Sequence, residues 1–267
     1  GLSLFNLKDM DVPVPEFFVI SGSVYTDFCL SALASNKQKL LEKGRNPEGD
    51  EILKAFLSHE FSKEVQEDIL SAYTRLSGFS DAWVSVRSSV IFPASDNISF
   101  SGIFSTELNV RKFEDLQEAV KRVYGSLFTD DVVAYANRLE IDLADVKLAV
   151  VVQKMVQAEI SGVAFTVDPI TQDETKLGIE AVYGLGDVIS TGEVTPDSYL
   201  LNKRDLSILE KHIAPQEWMK VRTMNASHGK RGNEEKIKIS SGWSHRQKLC
   251  DRDRKSTRLN SSHVSQS

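Results

Sequence analysis

"VVVQKMVQAEISGVAFTVDPIT", Val150 to Thr171, decides how this chain folds. With "KLA" in front of it, the β-branched run from Lys147 to Val156 predicts a buried strand, because such side chains pack well on a pleated surface. Further strands are expected at "GVAFTV" (Gly162 to Val167), "KLGIEAV" (Lys176 to Val182) and "DSYLLN" (Asp197 to Asn202). Upstream, the spacing changes. Leu116, Val120, Val123, Tyr124 and Leu127 line one side of a helix from Phe113 to Phe128. Val65, Ile69, Tyr73 and Leu76 mark a helical face within Ile52 to Leu76, and a helix from Ser23 stops at Gly44. "VPVPEFFVIS" (Val12 to Ser21) reads as a turn entering a strand, and Trp83 to Arg87 as a short strand with an arginine at its end. Ser95 to Gly102 is a polar loop, and past Asn202 the chain is polar and weakly patterned. The mixture predicts an α+β fold without internal repeats.

The 267 residues are 41% hydrophobic and 26% charged, enough for a real core. A net charge of -6 disfavours nucleic acid as the main partner, since phosphate-backbone binders carry a basic face. No apolar run reaches the length of a membrane span, and "GLSLFNLKDMD" lacks a signal-peptide layout. Cys29 and Cys250 form no CxxC pair, and reduced thiols in a cytoplasmic protein are the expectation. His59, His212 and His245 do not have the spacing of a metal cluster.

Three stretches suit nucleotide chemistry. In "SVRSSV" (Ser85 to Val90), Arg87 offers a rigid, always charged fork that matches phosphate oxygens, and the two serines after it, Ser88 and Ser89, add donors and let the backbone come close. A surface arginine at a strand end fits the same letters. In "SFSGIF" (Ser99 to Phe104), Ser101 and Gly102 suit a loop whose N–H groups meet phosphates, or a tight turn into a strand. Gln153, Met155 and Val156 suit an adenine slot, with backbone amides reading the base edge between apolar walls; a core strand entering a turn fits equally. There is no GxxxxGK[ST], and "YGLGDVISTG" lacks the Rossmann spacing.

The order of "VPVPEFFVI", "SVRSSV…SFSGIFSTELNV", "VVVQKMVQAEISGVAFTVDPIT" and "IEAVYGLGDVISTGEVTPDSYLL" resembles the nucleotide-binding domain shared by phosphoenolpyruvate synthase, pyruvate phosphate dikinase and rifampicin phosphotransferase. The resemblance is strong over residues 1–205 and faint over 206–252. It implies an ATP-grasp-like fold that binds ATP between lobes. It also implies a histidine on a swivelling domain that receives phosphate, and a further domain that passes it to pyruvate or to a drug hydroxyl. By position it implies that Arg87 contacts the transferred phosphates, with Ser88, Ser101 and Gly102 beside it. Gln153, Met155 and Val156 would surround adenine. Glu180 and the run Glu193 to Asp197 match motifs that shape the cleft. One departure stands out: the acidic pair usual after "VRSS" is replaced by "VIFPASDN", leaving Asp96. A nucleotide-binding module without catalysis is therefore the alternative from a different class.

The resemblance places the family's phosphate-touching lysine before residue 1. It places the Mg2+ ligands, in a pattern like "DIEWA…LYILQ", and the "TSHAA" phosphoacceptor after the present residues. "ASHGKRG" around His228 is only superficially similar to the latter. The expectation is thus a partial domain over 1–252, incomplete at both ends and inactive by itself. "DRKSTRLNSSH" (Asp253 to His263) is, in one reading frame, the translation of a common sequencing-adapter oligonucleotide. Residues 253–267 are accordingly expected to be a non-native tail outside the fold.

Overall fold

The valine run does become the central strand of a sheet. A computed structural model describes residues 2–10, 12–41, 49–91, 104–143, 146–223 and 234–250. The chain divides into two compact units, one made of Glu16–Met155 and the other of Leu2–Pro15 with Val156 onward. The expected boundary at Arg252 and the tail behind it lie outside the described residues.

In the first unit, β1 (Phe17–Ile20), β4 (Lys147–Lys154), β2 (Val84–Ile91) and β3 (Thr106–Val110) form an antiparallel sheet in that order. Val84 and Val86 of β2 and Leu148, Val150 and Val152 of β4 face a layer of helices. That layer contains α2 (Gly22–Leu41), α3 (Gly49–Ser58), α4 (Lys63–Ser77) and α5 (Phe113–Gly125). α2 packs on β4, α5 on β2 and β3, and α4 on β1. Aromatic rings fill the space between them. Phe28 lies 5.4 Å from Phe56 and 4.6 Å from Phe61, and Tyr25 meets Tyr124 edge-on at 5.0 Å. Tyr73 ties the layers together: its hydroxyl donates to the Ala82 carbonyl at 2.8 Å and accepts from the Lys112 N–H at 3.0 Å.

Several boundaries differ from expectation. The face at Val65, Ile69, Tyr73 and Leu76 belongs wholly to α4, because Ser62 caps that helix by accepting from the Val65 N–H at 3.3 Å. The helix from Phe113 tightens into a 3-10 turn at Ser126–Phe128. The strand from Trp83 does not stop at Arg87 but runs to Ile91, paired with β4 throughout. α1 (Leu2–Asp9) and α6 (Asp130–Arg138) were not legible from apolar spacing.

In the second unit, β5 (Ile160–Phe165), β6 (Lys176–Tyr183), β7 (Asp197–Asn202) and β8 (Ile208–His212) form an antiparallel meander. Ile179, Ala181, Tyr199 and Leu201 make its core, with Leu249 packed against them. β9 (Trp218–Arg222) pairs with β10 (Glu234–Lys238), so the weakly patterned region past Asn202 is structured. α7 (Asp187–Ser190) follows a turn at Gly184, whose φ is +83°. A Cβ there would come within 2.4 Å of the Lys220 carbonyl, so this turn needs glycine. α8 (Ser241–Ser244) precedes Lys248, which is buried. Both cysteines are free thiols, Cys29 buried and Cys250 exposed. Among the described residues no helix is long and apolar enough to cross a membrane.

Candidate functional site

Successive residues of a strand point to opposite faces. On β2, Val84, Val86 and Val90 point into the helix-covered core. Ser88 registers with core residue Val150 and shares that side. Ser85, Arg87 and Ser89 therefore project from the other face, in register with Gln153, Val151 and Ala149 of β4. Thr106 of β3 registers with Arg87 from the opposite side. The structure thus brings Arg87 together with Ser85, Ser89 and Thr106, and not with the Ser88 side chain. Ser89 is one of the two serines the sequence reading placed beside Arg87, while Ser85, inside the expected strand, was readable from strand alternation alone.

Arg87 is half-buried, and burial pulls its pKa down to about 10. It still carries its charge at neutral pH. Its in-register neighbours, Val151 and Thr106, are uncharged, and Ser85 and Ser89 flank it along the same face of β2. Its Nε donates to Ser85 Oγ at 3.3 Å. Ser85 Oγ donates in turn to the Gln153 carbonyl at 3.4 Å. Such an arrangement can receive an anion, because electrostatic gain grows as water is removed.

Gln153 is buried at the end of the same strand face. Just beyond it, the Lys154 N–H donates to the Glu16 carbonyl at 2.9 Å and the Met155 N–H to the Trp83 carbonyl at 2.8 Å. The Met155 amide is thus committed within the first unit. Met155 is half-buried, and Val156, the first residue of the second unit's main segment, is exposed. Ser101, Gly102, Asp96 and His228 lie outside the described residues.

The acidic motif residues of the second unit have separate roles. Glu180 is half-buried on β6, where burial raises its carboxyl above the ordinary value. A raised pKa in the folded state means that stability is highest with the proton on and falls as pH rises through the carboxylate range. Glu180→Gln should remove that contribution, so the stability difference, variant minus wild type, should grow from pH 4 to pH 7 in urea titrations; a flat difference would show Glu180 to be well solvated. Glu193 accepts from Lys236 at 2.5 Å, an ion pair that, with Lys220 nearby, holds its carboxyl below the usual range. Lys220 reaches Asp187 at 2.5 Å, Glu193 at 3.7 Å and Glu234 at 3.9 Å. Burial lowers its pKa, but these carboxylates outweigh it and the net shift is upward. Asp197 is fully buried and pairs with Lys248 at 2.8 Å. Sequence reasoning missed Lys248, since nothing local distinguishes it from a surface lysine. Among the described residues no group of three or more His, Cys, Asp or Glu side chains could hold a metal ion.

The model of the family "Pyruvate phosphate dikinase, AMP/ATP-binding domain" matches residues 1–261, and the chain belongs to that family. A probable phosphoenolpyruvate synthase of Methanocaldococcus jannaschii is 34% identical over 233 residues, covering 83% of this chain and 20% of that protein. A phosphoenolpyruvate synthase of Aeropyrum pernix is 36% identical over 218 residues, covering 77% of this chain and 27% of that protein. An uncharacterized phosphotransferase of Bacillus subtilis, YvkC, is 32% identical over 217 residues, covering 81% of this chain and 24% of that protein. The chain therefore spans about a fifth to a quarter of the length of these relatives.

Proposed function

We propose that this chain is the ATP-binding portion of a phosphoenolpyruvate synthase-like dikinase, with an ATP-grasp-like fold. The whole protein would convert ATP, pyruvate and water to phosphoenolpyruvate, AMP and phosphate. A phosphohistidine on a swivelling domain and a pyruvate-binding domain of the same full-length chain would complete it. The observation that carries this reading is Arg87, held half-buried on a hydroxyl-lined sheet face next to Gln153. Family membership and relatives named phosphoenolpyruvate synthase support it. The Bacillus subtilis relative, named only a phosphotransferase, keeps open an acceptor other than pyruvate, such as a drug hydroxyl or phosphate.

In this reading Arg87 meets the phosphate oxygens and stabilises the charge that spreads over the migrating group. Ser101 and Gly102 cover the phosphates, and Gln153, Met155 and Val156 surround adenine. Mg2+ would accompany ATP in this reading and offset the charge of its phosphates.

The test is calorimetry of the 267-residue chain with ATP and adenosine, followed by incubation with ATP, Mg2+ and pyruvate. ATP should bind more tightly than adenosine, and no AMP should accumulate. Equal affinities would remove the phosphate-site reading. Steady AMP formation, lost in Arg87→Ala, would show that this chain carries its own acceptor.

A further inference from the structure

Ser85 sits two residues before Arg87 on the same face of β2 and is 2% exposed. Its hydroxyl lies between two groups: the Arg87 Nε, 3.3 Å away, and the Gln153 carbonyl, 3.4 Å away. A hydroxyl has one proton and two lone pairs. Because the carbonyl can only accept, the proton goes to Gln153, and a lone pair is left facing the Arg87 Nε–H. The direction of both bonds is thereby set. A guanidinium is planar, so holding Nε fixes the plane in which its two terminal nitrogens point. The register Ser85 to Gln153 also ties this setting to the strand that leads to Met155.

We propose that Ser85 is a positioning residue: it holds the Arg87 guanidinium in one plane, anchored to the Gln153 carbonyl, so that its fork is aimed before the nucleotide arrives. The proposal rests on the nucleotide reading above. Alanine at 85 would leave the charge of Arg87 and the β2–β4 ladder in place but remove the acceptor at Nε. Threonine would keep the hydroxyl.

Four variants of the 267-residue chain test this: Ser85→Ala, Ser85→Thr, Arg87→Ala and the double variant Ser85→Ala/Arg87→Ala. Calorimetry gives their affinities for ATP and adenosine, and NMR of ¹⁵N-arginine-labelled protein gives the exchange rate of the Arg87 Nε–H. Ser85→Ala should weaken ATP binding about tenfold, the size of one hydrogen bond to a charged group, and leave adenosine unchanged. Ser85→Thr should restore it. The double variant should be no weaker than Arg87→Ala, because the serine acts only through the arginine. The Nε–H should exchange faster in Ser85→Ala without any ligand.

Unchanged ATP affinity in Ser85→Ala, or additive losses in the double variant, overturns the proposal. An equal loss for adenosine and ATP also overturns it, since that marks a merely structural role. If Arg87→Ala leaves ATP binding untouched, the nucleotide reading itself fails. The exchange rate then still shows whether Ser85 restrains Arg87.

Discussion

Lys248→Ala is expected to destabilise the second unit by about 3–5 kcal/mol, the cost of leaving one partner of a buried ion pair unpaired. Both side chains of the Asp197–Lys248 pair are completely buried. Asp197 Oδ1 accepts from Lys248 Nζ at 2.8 Å and from the Ala214 N–H at 3.1 Å. Its Oδ2 accepts from the Tyr199 hydroxyl and the Lys248 N–H, each at 2.8 Å. Lys248 Nζ also donates to the Ala214 carbonyl at 2.5 Å. The carboxylate thus gathers β7, the segment after β8 and the segment after α8 at one point. Without the ammonium, a charge stays in the interior with fewer donors to offset its lost hydration. Urea denaturation measures the effect. Adding Asp197→Asn to Lys248→Ala should recover part of the loss, because the uncompensated charge is gone while an acceptor for Ala214 remains. A loss under about 1 kcal/mol for Lys248→Ala, typical of exposed pairs, would mean that the pair is hydrated.

The second large effect falls on chemistry. In a full-length protein carrying this domain, Arg87→Ala should lower phosphoryl transfer from ATP about a hundredfold, close to 3 kcal/mol of transition-state stabilisation. The melting temperature should change little, since Arg87 lies on the sheet face opposite the aromatic core. Arg87→Lys should rescue poorly, because an ammonium replaces the charge but not the planar fork held at Ser85. Single-turnover measurement of phosphohistidine formation isolates the step. Near wild-type rates in Arg87→Ala would take Arg87 out of the reaction.

The central strand, read as Lys147 to Val156 and formed over Lys147–Lys154, the helix from Phe113 and the family were all legible from the letters, because these rest on local patterns. A valine run prefers the pleated surface. Apolar residues three and four apart make one helical face. The order of short motifs survives without knowledge of packing. The region past Asn202 was illegible because β8 is exposed along its whole length, so no apolar alternation marks it. At the site, the letters "SVRSSV" named Arg87 and paired it with both following serines, Ser88 and Ser89. The pairing of β2 with β3 and β4 puts Ser85, Ser89 and Thr106 on its face and Ser88 on the other. Which face of a strand is covered depends on helices brought in from elsewhere in the chain, here α2 and α5. The same holds for Asp197 and Lys248, separated by 51 residues. A lysine becomes an interior ion only when a distant carboxylate is folded against it, and no property of its sequence neighbours foretells that.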